Sequence, residues 1–383
     1  MDKPTVQDIF HRFYPAYLDQ YSPSPVQAKV AHNIMNCKTG AYGANVCVCE
    51  DCGFVQIHYN SCRNRCCPMC QAVPKEMWMD ARREDVLDAP YFHLVFTVPD
   101  ILNPVIYSNQ RLLYDALYHA ASSTISELTA DPKHLGAKVG YICILHTWGS
   151  EMNFHPHIHT ILLGGGLASN NQWKDNGENF FLPIRVISKM FRGKYLEELK
   201  RLWEEDKLVF HGTAETFRNH YTFKELLDSC YGMDWIPHCK KTFNGAQTVI
   251  KYLGKYTHRI AVSNHRIVRM DDDTVTFLVK DYRNEGQWKE LTISGVEFVR
   301  RFLMHVPPRR FVRIRHYGLL CSRTKSQKLT LCRNLLGCKK YLSKLRDMEM
   351  PEILEHLYGI KVCVCKACGG HLGKPQMRMP LRC

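Results

Sequence analysis

The stretch LHTWGSEMNFHPHIHTILLGGG, residues 145–166, decides the fold. It reads as the end of one apolar strand, 141–146, a short turn, and a second strand, 155–163, with Gly164-Gly165-Gly166 expected to stop it. Within the second strand the order His155-Pro156-His157-Ile158-His159 places three imidazoles on one face, because alternate strand residues point the same way. Neighbours in that row lie about 7 Å apart, close enough for two imidazoles to converge on one ion; the outer pair is about twice as far apart. Two of the three are therefore expected ligands, and a third must come from elsewhere. His146 ends the preceding strand, so an antiparallel pairing would turn it toward the same ion; Gln247 and then His155 are the next choices. Three histidines on one strand face and one beside it do not suit an apolar core, since each buried imidazole demands polar partners.

Working outward, residues 5–35 have apolar positions at helical spacing, broken at Ser22-Pro23-Ser24-Pro25. A cysteine-rich segment runs to about 71 and a polar helix covers 75–87. A strand follows at 91–98, then a helix at 109–128. Beyond the histidine strands, 167–182 reads as a loop, 185–230 as helical, 245–258 as a helix, and 266–270 with 274–280 as a hairpin. This order predicts an α+β protein with an antiparallel sheet, preceded by a small metal-stapled helical domain and followed by a basic region. The expected divisions are 1–88, 89–320 with a helical insertion at about 167–240, and 321–383.

Charged residues make up 23% and apolar residues 45%, ordinary values for a folded soluble chain, so disorder is not the default. The longest apolar runs are strand-sized, well short of the roughly 20 residues a bilayer requires. The Met1-Asp2-Lys3-Pro4 start has no apolar signal core, which leads us to expect a cytoplasmic protein. Lys and Arg number 51 against 37 Asp and Glu, a net charge of +14. Residues 300–346 hold fourteen Lys and Arg and no acid, with Phe302, Phe311, His316 and Tyr317 interleaved. Cations mixed with aromatics favour phosphate backbones and unpaired bases. Arg309, Arg310, Arg313 and Arg315 are the expected contacts in this run.

Eighteen cysteines, eight of them within 37–70, fit metal ligation in a reducing compartment better than a disulfide framework. Cys49-Glu-Asp-Cys52 and Cys67-Pro-Met-Cys70 form two CxxC knuckles, and we expect these four thiolates to share one structural zinc. Cys62 and Cys66, with Cys47 and His58 nearby, are candidates for a second site. So are Cys365 and Cys368, with Cys363, His371, Cys383 or an upstream cysteine to complete it.

Tyr252-Leu-Gly-Lys-Tyr256 sets two phenols at i and i+4 on one helix face, with Lys255 and Arg259 beside them. Gly254, costly inside a helix by about 1 kcal/mol, points to close approach by a backbone or ligand.

Three segments, CEDCGFVQIHYNSCRNRCCPMC, LHTWGSEMNFHPHIHTILLGGG and YLGKYTHRIAVSNHRI followed by YGLL, together resemble the two-tyrosine HUH transposases of rolling-circle insertion sequences. That family is related to Helitron transposases, plasmid replication initiators and conjugative relaxases. The resemblance runs from about 10 to 325, and His157-Ile158-His159 matches its histidine, apolar, histidine motif. Cys66 departs from the family pattern, in which a histidine stands before the second knuckle.

The resemblance implies a metal-dependent DNA endonuclease and strand transferase on an antiparallel sheet, with the tyrosine helix packed across the histidine strand. It implies Mg2+ or Mn2+ on His157, His159 and a third ligand, and a Tyr252 or Tyr256 nucleophile assisted by Lys255. It also implies single-stranded or hairpin DNA at the transposon ends, together with target DNA, as substrates, gripped by Arg259 and the basic run. No helicase motif is present, so the host's helicase and replication machinery are expected partners. A zinc-dependent regulator without catalysis would leave the histidine row unused; a hydrolytic nuclease would use water and form no covalent adduct.

Overall fold

A computed structural model describes residues 3–177, 180, 182–235, 237–242, 249, 254, 260–281, 284–374 and 376–378. The first helices, α1 (Val6–Gln20) and α2 (Pro25–Met35), each open on a capping box, Thr5 with Asp8 and Ser24 with Gln27. These boxes satisfy the first free amides on either side of the Ser-Pro break. A hairpin of β1 (Ala44–Val48) and β2 (Val55–Tyr59) leads to α3 (Ala72–Arg83) and β3 (Tyr91–Thr97). Then come α4 (Asn103–Ser108), α5 (Gln110–Ala130), β4 (Lys138–Trp148), β5 (Phe154–Leu167), β6 (Trp173–Asp175), α6 (Ile184–Glu204), α7 (His220–Gly232) and β7 (His238–Thr242). The remainder holds β8 (Ile267–Met270), β9 (Thr274–Asp281), β10 (Gln287–Ser294), α8 (Gly295–Met304), β11 (Ile314–Gly318), α9 (Lys325–Leu336), α10 (Met350–Tyr358) and β12 (Gln376–Arg378).

The fold is α+β. Its main sheet runs β11-β4-β5-β3-β7, with β6 on the end of β5, and every pairing is antiparallel. Strand alternation gives this sheet two different faces. One carries Phe92, Leu94, Phe96, Cys143, Leu145, Ile158 and Leu162 against α5 and α6. Within the region 167–240, α6 covers this face of the sheet, with Phe191 against Phe96 at 5.0 Å between ring centres. On the other face Tyr91, Ile142, Ile144, Ile161 and Leu163 pack under Met79, Val249, Leu319 and Leu329. Along this second face, toward the turn between β4 and β5, isoleucine gives way to histidine.

The glycine run does not stop β5, which continues to Leu167. The neighbours come too close for side chains: a Cβ on Gly164 would meet Phe92 and the Pro90 carbonyl, and one on Gly165 would meet the Trp173 ring. The glycines therefore let β6 and the start of β3 close over the strand.

The buried cores also cut across the divisions expected at 88 and 320. Phe10, Phe13 and Tyr17 of α1 share a core with Phe277, Phe298 and Phe302, so the N-terminal helices sit on the sheet β10-β9-β8 and on α8. Phe10 meets Phe302 edge to face at 5.2 Å. At the other end of the chain, β12 extends the β1-β2 hairpin into a three-stranded sheet.

Candidate functional site

His146 of β4 lies directly opposite His157 of β5 in the antiparallel register, and His159 follows on the same face. All three are buried, with their nearest ring nitrogens within 4.8 Å of one another. His157 Nε2 stands 3.1 Å from His159 Nε2. Nitrogens about 2.1 Å from one cation, at angles of 90–110°, lie about 3.0–3.4 Å apart, so the observed spacing fits a shared metal. The His146 ring centre is 5.6 Å from that of His157 and 4.6 Å from that of His159.

The outward nitrogens of the pair are held as well. The His155 carbonyl accepts from His157 Nδ1–H at 2.7 Å, which leaves Nε2 with its lone pair for a metal. His159 Nδ1 lies 2.9 Å from Nε2 of His93, a buried β3 residue whose ring stacks on it at 5.1 Å. With Nε2 of His159 facing the cluster, Nδ1–H is the donor and His93 the acceptor. Such outer-shell partners fix ring orientation and tautomer. His93 was missed in the sequence; the signal was there, a lone histidine inside the apolar strand Tyr91-Phe-His-Leu-Val-Phe. The His155 ring centre is 5.2 Å from that of His157, but its Nδ1 lies 3.2 Å from Asp100 Oδ1 and it is not part of the three-histidine cluster.

Around this centre Trp148 stacks on His146 at 4.6 Å, and the Arg313 guanidinium lies 5.8 Å from the Trp148 ring. His305 is buried beside Trp148, with Nδ1 3.1 Å from Thr147 Oγ1 and Nε2 3.0 Å from the Met152 carbonyl. Burial pushes its pKa down to about 4, so the ring is neutral at pH 7.

The basic run divides into two kinds of residue. Arg309 and Arg310 are exposed. Arg315, by contrast, pairs with Asp115 and lies 4.0 Å from the Tyr118 ring centre, while Lys325 and Arg346 pair with Asp85 and Glu84. Part of the charge that the sequence concentrates here is matched by acids from earlier in the chain. Tyr252, Lys255, Tyr256, Arg259 and Gln247 lie outside the described residues. Gly254 is described: it is buried, and a Cβ there would run into Met79 of α3, so the close approach its presence implied comes from a side chain.

The cysteines require a correction. Cys49 and Cys52 do not meet Cys67 and Cys70. One cluster consists of Cys37, Cys62, Cys67 and Cys70, and another of Cys49, Cys52, Cys365 and Cys368, each with its sulfurs within 4.8 Å. The reason is the intervening hairpin, whose register pairs Ala44 with Tyr59 and Val48 with Val55. Cys49 and Cys52 sit at its turn, Cys37 and Cys62 at its open end, about 17 Å away for strands of five residues. Cys66 is buried but belongs to neither cluster.

In the first cluster Cys70 Sγ is 3.4 Å from Cys37 Sγ and 3.6 Å from Cys62 Sγ. Hydrogen bonds from Cys62 and Cys67 hold the Cys70 thiol far below its usual range. Thiolates 2.3 Å from one tetrahedral zinc lie about 3.8 Å apart, so the donor set fits that ion. All described cysteines are free of disulfides.

Residues 9–98 match the family described as "Transposase zinc-binding domain", and residues 140–328 the family described as "Putative transposase". The chain is 40% identical over 369 residues to the putative transposase y4qJ of Sinorhizobium fredii, covering 95% of this chain and 93% of that one. It is 30% identical over 309 residues to the transposase for insertion sequence element IS801 of Pseudomonas savastanoi pv. phaseolicola, covering 79% and 72%. Among solved structures, the metal-free conjugative relaxase TrwC in complex with oriT DNA overlaps 29% of this chain and 44% of its own, at 16% identity and a TM-score of 0.24. Among the described residues no helix is long and apolar enough to cross a membrane.

Proposed function

Because this chain belongs to the transposase family that includes the IS801 transposase, we propose that it cuts and rejoins single DNA strands at insertion-sequence ends through a covalent tyrosine intermediate. The observation that carries this reading is the histidine centre: three buried imidazoles from two adjacent strands, with the two Nε2 atoms of β5 3.1 Å apart. His146, His157 and His159 would hold Mg2+ or Mn2+, which when bound supplies a positive charge against the scissile phosphate.

The chain's own groups do the rest. His93 and the His155 carbonyl keep His159 and His157 turned inward. The phenol oxygen of Tyr252 or Tyr256 attacks phosphorus, its proton leaving to solvent or a neighbouring base such as Lys255 in neutral form. The bond from phosphorus to the 3′ oxygen breaks, and that oxygen takes a proton to become a free hydroxyl. A 5′-phosphotyrosine remains, so the phosphodiester energy is conserved and a 3′-hydroxyl from another end can reverse the step without ATP. Two tyrosines allow two such links, as one-strand, rolling-circle movement requires. The described residues on either side of Tyr252 in the sequence are both buried, Val249 with Ile142, Ile144 and Ile161 on the histidine-bearing face and Gly254 against Met79 of α3. Arg309 and Arg310 are exposed to grip the backbone, and strand displacement is left to the host's helicase and replication machinery.

The test is to mix the full chain with a labelled single strand from its own element's end and Mn2+, then separate products on a denaturing gel. A protease-sensitive, slow-running adduct is expected, lost with His157→Ala. Cleavage without adduct would mean hydrolysis by water, and binding without cleavage would mean a regulator.

A further inference from the structure

Cys49-Glu-Asp-Cys52-Gly53 and Cys365-Lys-Ala-Cys368-Gly369 fold alike although they stand at opposite ends of the chain. In each, the glycine after the second cysteine takes a left-handed backbone, φ 71° at Gly53 and 78° at Gly369. Each glycine N–H donates to the carbonyl of the first cysteine, at 3.0 Å and 2.9 Å. In the second, the amides of Ala367 and Gly370 also point at Cys365 Sγ and Cys368 Sγ, both at 3.4 Å. The Cys67-Pro-Met-Cys70 segment continues into Gln71 and has no such glycine.

The two glycine-closed knuckles face each other. Cys49 Sγ lies 3.5 Å from Cys368 Sγ, and Cys52 Sγ 3.7 Å from Cys365 Sγ. These separations are far beyond a disulfide bond of about 2.05 Å and close to the roughly 3.8 Å edge of a tetrahedral zinc-thiolate site. Backbone bonds align the partners: Glu50 N–H to the His371 carbonyl at 3.1 Å, and Gly373 N–H to the Val48 carbonyl at 2.9 Å. Very little apolar burial holds them. The fully buried cluster here is Cys47, Cys49, Cys365 and Leu372, half of which are themselves donors. A core that small does not stabilise a fold without a staple.

We propose that Cys49, Cys52, Cys365 and Cys368 bind a zinc ion of their own, which clasps the C-terminal segment to the N-terminal hairpin. It is separate from the ion at Cys37, Cys62, Cys67 and Cys70. The clasp returns the chain after the basic run to its beginning, so residues 300–346 form part of a closed loop. It depends on cysteine geometry alone, so the adduct assay can fail while the clasp stands, and the reverse.

The experiment counts thiolate-bound zinc in the purified full chain by release with a mercurial, and maps free thiols by maleimide labelling and mass spectrometry. Two equivalents are expected from the wild-type chain, with Cys365 and Cys368 protected until a chelator is added. The double variant Cys365→Ser, Cys368→Ser should release one equivalent and expose Cys49 and Cys52, while Cys37, Cys62, Cys67 and Cys70 stay protected. Cys363→Ser, at an exposed cysteine outside the cluster, should keep both ions. Rapid labelling of Cys365 and Cys368 in the zinc-loaded wild type would overturn the clasp, as would two equivalents from the double variant. The wild-type labelling decides the matter even where the variant does not fold.

Discussion

His93 Nε2 receives the Nδ1–H of His159 at 2.9 Å from the neighbouring strand, so the ring nearest the centre of the sheet is oriented by another histidine rather than by a carboxylate. A neutral acceptor leaves the three-imidazole site without a negative charge among its described donors. His93→Ala should remove the acceptor and let His159 rotate. Calorimetry with Mn2+ should show affinity reduced about 10- to 100-fold, the usual effect of losing an outer-shell partner. His93→Gln, which can accept the same bond, should recover part of it. Wild-type affinity in His93→Ala would mean that the stacked pair is packing only.

The third ligand is tested by the contrast between His146 and His155. His146 faces His157 across the strand pair, whereas the His155 side chain is turned to Asp100. His146→Ala should abolish most Mn2+ binding and nicking, and His155→Ala should change either less than about threefold. The opposite ranking would mean that the ion sits further toward the turn.

Tyr252 and Tyr256 are proposed to act in turn. One helical turn displaces the second phenol by about 6 Å, while in-line attack requires an oxygen about 3 Å from phosphorus. Each single Phe variant should therefore stop transposition in cells. In a single-turnover nicking assay one should be nearly silent and the other inactive, with Tyr256 favoured for the first cut because Lys255 and Arg259 flank it. Normal transposition by both single variants would count against sequential use.

Buried His305 predicts a pH effect on stability. Its folded pKa of about 4 lies below the ordinary 6.5, so the unfolded chain takes up a proton first as pH falls. Stability is complete above pH 6.5 and declines between 6.5 and 4, by roughly 3 kcal/mol from this ring at 1.36 kcal/mol per pH unit. Urea unfolding at pH 7 and pH 4.5 should show a smaller difference in His305→Gln than in the wild type. An equal difference would place the acid sensitivity elsewhere.

Alternation within the histidine strands was enough to anticipate the antiparallel pair, the shared face and His146 as its third member, because period-two geometry is local. The hairpin at 266–280 was legible for the same reason, yet its third strand β10 was not: Gln287–Ser294 is largely exposed, so it carries little apolar pattern. The zinc sets failed differently. A CxxC spacing shows that two thiolates can meet an ion but not which second pair completes it, and that depends on where a hairpin ends. The basic run shows the same limit, since Asp85 and Asp115 are distant in sequence from Lys325 and Arg315.

The clasp also has a schedule. Cys52 and Cys365 are separated by 313 residues, and a ribosome adds about 5–20 residues per second, so the N-terminal knuckle waits roughly 15–60 s for its partners to be made. Once Cys70 has been made, the cluster at Cys37, Cys62, Cys67 and Cys70 has all its ligands, while the other has half. The clasp therefore closes only after the segment carrying Cys365 and Cys368 has been made. A chain cut short before Cys365 would keep its histidine centre and its first cysteine cluster, yet leave its N-terminal hairpin with an open pair of thiols, a mark by which copies lacking Cys365 and Cys368 differ chemically from copies that carry them.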